Sequence, residues 1–266
     1  DGVLNGSTAN STDYSNLTVP LILGAQGASS YPFQGYLDDL RITKGVCRYN
    51  STFSPPASEL TLSGDPYSAN VSLLLRGNTY SVKEESNNNF TIYEFGNHAK
   101  ISDSNFKYGG SSLTFYGYDG DYLSLDSSLN SYFDFGTGDF TIESWIYTHK
   151  NNTVVIDRFG TPTGYQVYID NSGYLQFWNN ALVLSSNNQI SLDTWQHIVV
   201  SRQSGTLRLF IDGVLNGAIT DNTNYTSVAQ FSVGAQVYSR NGTYDFSGEI
   251  DDLRVTKGIA RYTANF

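Results

Sequence analysis

DTWQHIVVSRQSGTLRLFIDGVLNG (residues 193–217) reads as consecutive β-hairpins. HIVVSRQ carries an apolar middle and TLRLFID alternates, and between them Gln203-Ser204-Gly205 offers residues that accept tight-turn geometry. Asp212-Gly213 follows as a second turn, where glycine tolerates a positive φ and VLNG returns as the next strand. The same pattern runs outward in both directions. SLTFYG, DYLSL, DFTIESWIYTH, TVVIDRF, GYQVYID, YLQFWN, QFSVGAQ and GEIDDLRVT are short apolar or alternating runs bounded by Gly, Asn, Asp or Ser. No ten-residue stretch repeats convincingly at 3.6. About ten short strands in one domain-sized segment predict two packed antiparallel sheets, an all-β sandwich.

The chain also repeats itself. DGVLNG at residues 1–6 recurs at 212–217, and GYLDDLRITKGVCRYNSTF at 35–53 recurs as GEIDDLRVTKGIARYTANF at 248–266. The offsets, 211 and 213, equal a whole domain and exceed any solenoid unit, so the expected organisation is a tandem array. Residues 1–53 read as the C-terminal part of a preceding copy and residues 54–66 as a linker opened by Ser54-Pro55-Pro56. Residues 67–266 read as a nearly complete copy. Because the first copy begins at its hairpin turn, a longer parent or a neighbouring chain is expected to supply the strands that cover it.

Composition removes several chemistries. Fifteen Lys+Arg against 25 Asp+Glu give a net charge of −10, which repels nucleic acid and anionic lipid. One cysteine, Cys47, cannot close an internal disulfide; Ala260 stands at its place in the other copy, which suits a small packed side chain. His98, His149 and His197 lack zinc spacing, and no apolar run is long enough for a membrane helix.

FDFGTGDFTIESWIY (133–147), the 193–217 segment and SGEIDDLRVTKGIARYTANF (247–266) together resemble laminin-G-like domains of the concanavalin A-like lectin/glucanase superfamily. The similarity is to the branch found in phage tail-fibre and structural proteins and in large bacterial surface proteins. It implies a jelly-roll sandwich of two curved sheets. Glycosidases of the superfamily carry E-x-D-x-x-E on one strand, whereas Glu143 has no acid at i+2 or i+5. A non-catalytic domain is therefore expected, with Glu143 a surface or ion-paired residue.

The doubled acids Asp38-Asp39 and Asp251-Asp252 are the main candidate polar site. Strict alternation puts Asp251 on one face with Leu253 and Val255, and Asp252 on the other with Ile250 and Arg254. A carboxylate buried there needs Arg254 (Arg41 in the other copy), turn amides or a cation. The resemblance implies one structural calcium per domain, with Asp251 and Asp38 as ligands. The segment Arg76-Gly77-Asn78 departs from it, since family members often have Asp there. Asp119 and Asp121 in YDGDY form a second candidate metal cluster, or a plain hairpin turn.

Twenty Tyr and 25 Gly, with abundant Ser, Thr and Asn, resemble the chemistry of antibody paratopes. Tyr118, Tyr122, Trp178 and Tyr244, in or beside predicted turns, are candidates for stacking on sugar rings, with Asn179 as a hydrogen-bond partner. Tyr116, Tyr165 and Tyr238, with Asn180 and Asn241, belong to the same set. The expected function is adhesion or recognition of a glycan or cell-surface polymer at an extracellular, cell or virion surface. A structural repeat that packs against neighbouring laminin-G-like copies is the alternative, and a glycoside hydrolase comes last.

Overall fold

In the computed structural model the chain divides into two compact units, Asp1–Ala57 and Ser58–Phe266. The structure describes residues 68–266 except 79, 80, 85, 87, 89, 91, 96–98, 119, 120, 237 and 239–241. The first copy, with Asp38, Arg41 and Cys47, lies outside the described residues, as do Asp119, His98 and Asn241.

The first half of the described chain contributes β1 (Val71–Asn78), β2 (Ser81–Glu84), β3 (Ile92–Phe95), β4 (Lys100–Ser102), β5 (Ser112–Tyr116), β6 (Tyr122–Leu125), β7 (Phe140–Thr148), β8 (Thr153–Asp157) and β9 (Pro162–Thr163). The second half adds β10 (Gln166–Ile169), β11 (Tyr174–Asn179), β12 (Ala181–Gln189), β13 (Gln196–Gln203), β14 (Thr206–Ile211), β15 (Val214–Thr220), β16 (Thr226–Ser227), β17 (Ser232–Val233) and β18 (Ser247–Lys257). Two antiparallel sheets result. The nine-stranded one runs β15-β14-β13-β7-β18-β1-β2, with β5 and β4 attached alongside β18. The seven-stranded one runs β12-β11-β10-β8-β17-β6-β3. The predicted all-β sandwich is thus the observed architecture.

The hairpins that begin the reading form as expected. Gln203 pairs with Thr206 and Ile211 with Val214, leaving two-residue turns. Ser204, Gly205, Asp212 and Gly213 all have φ between 47° and 75°, the primed geometry that matches strand twist. The core lies between the sheets. Phe140, Ile142 and Ile146 of β7, Ile198 and Val200 of β13, and Leu207, Leu209 and Ile211 of β14 meet Val167, Ile169, Leu175 and Phe177 of the opposite sheet. Alternation therefore assigns Glu143, Trp145 and Tyr147 to the outer face of the nine-stranded sheet, and Gln176 and Trp178 to the outer face of the other.

Register shifts interrupt several of the ladders, and the one in β18 decides where the acid pair stands. In β18 the register with β7 shifts between Asp251 and Arg254, and Asp252 takes φ 47°. A bulge inserts one extra residue, so Ile250, Leu253 and Val255 all reach the core. Asp251 therefore stands on the outer face with Arg254, opposite to the expected pairing with Leu253 and Val255. Both carboxylates of the pair are buried, Asp251 at 3% and Asp252 at 5% exposure.

One end of the sandwich is fastened by two fully buried arginines that sequence reading did not single out. Arg158 donates to the carbonyls of Asn130, Phe133 and Ser227 and pairs with Asp134 at 2.7 Å. Arg202 donates to the carbonyls of Gly136, Gly138 and Thr223 and pairs with Asp221 at 3.2 Å. A guanidinium offers five donors in a planar fork, which lets it saturate several converging loop carbonyls at once.

Candidate functional site

The outer face of the nine-stranded sheet is covered by its own chain. Both oxygens of Asp251 accept backbone N–H groups: Oδ2 from Lys107 (3.0 Å) and Tyr108 (2.9 Å), Oδ1 from Asp252 (2.9 Å). These are the turn amides expected for a buried carboxylate, and they hold residues 103–110 on the sheet. Lys107 Nζ then lies 3.9 Å from the Trp145 ring centroid. At the other end of the face Arg254 grips Glu143 Oε1 through Nε and Nη2, each at 2.9 Å, and Tyr262 donates to Oε2 at 2.7 Å. The rings of Tyr262 and Phe266 stack at 3.8 Å, and Phe266 packs on Phe210.

Burial alone would raise the Glu143 pKa. The charge of Arg254, with hydrogen bonds from His197 and Arg254, outweighs it and leaves the carboxyl at about 2. A general acid needs the opposite shift. Glu143 is thus the ion-paired residue of the two expected alternatives. Among the described residues no group of three His, Cys, Asp or Glu side chains is arranged to hold a metal ion. Asp121, fully buried, caps its own hairpin: Oδ2 accepts the N–H of Tyr116 and, at 3.1 Å, that of Gly117.

The outer face of the seven-stranded sheet is different. Registers place Ser124, Ser232, Asp157, Gln166 and Trp178 in one row across β6, β17, β8, β10 and β11. Tyr168 stands opposite Gln176 in the next row. Gln166 Nε2 donates to Asp157 Oδ1 at 2.7 Å. Gln176 Nε2 donates to Asp170 Oδ2 at 2.7 Å, and its Oε1 accepts the Trp178 indole N–H at 2.7 Å. Asp170 Oδ1 is itself held by the N–H groups of Ser172 and Tyr174, each at 2.9 Å. The Tyr168 hydroxyl donates to Asn152 Oδ1, and its ring meets that of Tyr244 edge-on at 6.3 Å. Burial, then Tyr244 and Asp170, raise the Tyr168 pKa, so this phenol stays neutral.

The result is a band of half-buried rings, Trp178, Tyr168 and Tyr244, beside two buried glutamines, Gln166 and Gln176, whose orientation is set by neighbouring aspartates. Rings supply flat apolar area and fixed amides supply directed hydrogen bonds, the combination that sugar rings require.

Of the expected ligand residues, Trp178 and Tyr244 belong to this band. Asn179 does not: it follows Trp178 by one residue, so it faces the other way and donates to Thr223 Oγ1. Tyr122 is 4% exposed and Tyr165 is fully buried, so neither offers a stacking face. Tyr118 is 60% exposed and stacks on Tyr116 at 6.3 Å in the β5–β6 loop, a separate position. Gln166, Tyr168, Asp170 and Gln176 were missed, although the alternation in YLQFWN and GYQVYID already carries them.

The model of the concanavalin A-like lectin/glucanases superfamily, laminin-G type, matches residues 117–259, more than half of the chain. The chain belongs to that family. No curated protein matches the sequence. Among solved structures, the binding domain of Paraclostridial Mosquitocidal Protein 1 superposes with a TM-score of 0.59 at 14% identity, over 73% of this chain and 50% of that one. Domain 4 of AbnA, a GH43 extracellular arabinanase from Geobacillus stearothermophilus, in complex with arabinotriose, gives 0.53 at 18% identity, over 71% and 93%. The binding domain of botulinum neurotoxin DC in complex with SialylT gives 0.53 at 15%, over 73% and 49%. The chain spans about half the length of the toxin domains. At these identities the likeness is one of fold.

Proposed function

We propose that residues 67–266 form a non-catalytic glycan-recognition domain of a larger extracellular or virion-surface protein, and that the Trp178–Tyr168–Tyr244 face is where the glycan docks. The observation that carries this reading is the hydrogen-bonded series Trp178–Gln176–Asp170, which holds an indole and an amide in fixed orientation on an outer sheet face. Two features add support. The opposite outer face is occupied by residues 103–110 and 259–266, whereas Trp178, Tyr168 and Tyr244 stay half-exposed on this one. The structural relatives include a domain bound to arabinotriose and toxin binding domains.

The second reading, a structural repeat that packs on its neighbours, draws on the sequence recurrence at residues 35–53 and 248–266. A glycan array probed with the full chain separates the two. Reproducible binding that Trp178→Ala abolishes, at an unchanged melting temperature, supports recognition. Silence across the array removes it and leaves the structural reading.

A further inference from the structure

The polarity of the hydrogen bonds beneath this face carries more than its shape. At neutral pH a carboxylate only accepts. Asp157 and Asp170 therefore oblige Gln166 and Gln176 to turn their amide nitrogens toward them, at 2.7 Å in each case. The carbonyl oxygens must then point the other way. For Gln176 this is directly visible, since its Oε1 receives the Trp178 N–H. That contact also withdraws the indole donor from any ligand. The Tyr168 hydroxyl proton is withdrawn in the same way, toward Asn152.

Two donors that aromatic side chains commonly lend to ligands are thus engaged internally; the acceptors that remain are the phenol oxygen of half-buried Tyr168 and, at 6% and 7% exposure, the spare lone pairs of the Gln166 and Gln176 amide oxygens. No Lys or Arg is among the described residues that build the face. Arg158 and Arg202 are committed to Asp134 and Asp221, Arg254 to Glu143, and Lys107 to the Trp145 ring, and Lys150, in the loop that carries Asn152, has its charge set against Asp245. The overall charge of −10 has the same sign as the two aspartates.

We infer that the face selects uncharged sugars, whose hydroxyls donate to these oxygens, and rejects sugars that carry a carboxylate, such as uronic or sialic acids. This inference rests on the glycan reading above and specifies its ligand class. An acidic sugar brought here would lose water from its carboxylate, find acceptors where it needs donors, and meet two aspartates beside them. Asp157 and Asp170 act as specificity-determining residues through the glutamines they orient.

The test uses the full chain and matched probes that differ only in charge: galactotriose against trigalacturonate, and lactose against sialyllactose, within one array and by titration. The expected result is binding of the neutral member of a pair, with its acidic partner weaker by about tenfold or more, the size of one unmatched polar contact. Raising the salt from about 50 mM to 1 M should narrow the gap, because part of it is Coulombic. Asp170→Asn should narrow it as well, because its Oδ1 stays on the Ser172 and Tyr174 N–H groups and the new Nδ2 turns the Gln176 oxygen inward, leaving Gln176 Nε2 as a donor for the ligand. The salt series needs no variant and decides the matter if Asp170→Asn does not fold. Equal or tighter binding of the acidic member overturns the inference and leaves glycan recognition standing. Failure of every neutral and acidic probe to bind overturns both.

Discussion

Glu143→Gln is the most informative single substitution in the domain. The carboxylate is 3% exposed, and it holds Arg254 through two 2.9 Å contacts and Tyr262 through one at 2.7 Å. Glutamine keeps the volume but removes the charge and turns one acceptor into a donor. The Arg254 side chain, 8% exposed, is then a buried cation without its carboxylate. Breaking a buried pair in this way costs about 3–5 kcal/mol, a large share of the roughly 5–15 kcal/mol that holds a domain folded. For about 200 residues that lowers the melting temperature by about 10 °C. The pH dependence gives an independent check. The folded-state pKa is about 2 against an ordinary 4.5, a depressed value. Its stabilisation is therefore fully present above pH 4.5 and is lost as the pH falls toward 2, by about 3 kcal/mol at 1.36 kcal/mol per unit. Urea unfolding of both proteins between pH 7 and pH 2 measures this, with the variant lacking that portion of the acid dependence. Unfolding free energies within 1 kcal/mol at pH 7, or parallel acid profiles, would refute the reasoning.

Other substitutions probe other joints. Gly248 has φ 138°, and an added Cβ would lie 1.9 Å from the Tyr147 carbonyl oxygen, so Gly248→Ala should cost about 3 kcal/mol or prevent folding, read by thermal unfolding. Arg202→Met leaves the Gly136, Gly138 and Thr223 carbonyls and Asp221 without their shared donor. A loss of about 3–5 kcal/mol is expected, and a melting temperature within 2 °C of wild type would contradict it. Asp251→Ala removes the acceptor that anchors residues 103–110, so limited proteolysis should cut there at least several-fold faster while the Arg254–Glu143 pair persists.

Most of the architecture was legible because hairpins are local. Ser204-Gly205 and Asp212-Gly213 state their turn type in two residues each, and the strands on either side alternate. What was less legible depended on non-local partners. β12 escaped notice because ALVLSSNNQ is polar along half its length; it is an edge strand that pairs with β11 and packs against β15, where Asn188 N–H donates to Asn216 Oδ1. The buried arginines escaped as well, since nothing near Arg158 or Arg202 in sequence announces that several loop carbonyls converge on them.

The misassigned face of Asp251 shows where pattern reading stops. Alternation is a statement about an unbroken ladder, and a single extra residue reverses every side chain beyond it. The doubled aspartate is the very place where β18 accommodates that residue: Asp252 adopts φ 47°, a conformation that Asp tolerates better than most residues, and Ser144 Oγ donates to the Asp251 carbonyl beside the bulge. The reversal puts Arg254 opposite Glu143 and lets Asp251 receive the amides of residues 107 and 108. Without the bulge, Arg254 would point into the apolar core and Leu253 and Val255 out of it. The acid pair that first suggested a metal site is therefore also the device that sets the register of the last strand. Deleting Asp252 should for that reason be more damaging than replacing it: Asp252→Gly keeps the bulge and the fold, whereas the deletion inverts Leu253, Arg254 and Val255 together, and circular dichroism of the two variants distinguishes them.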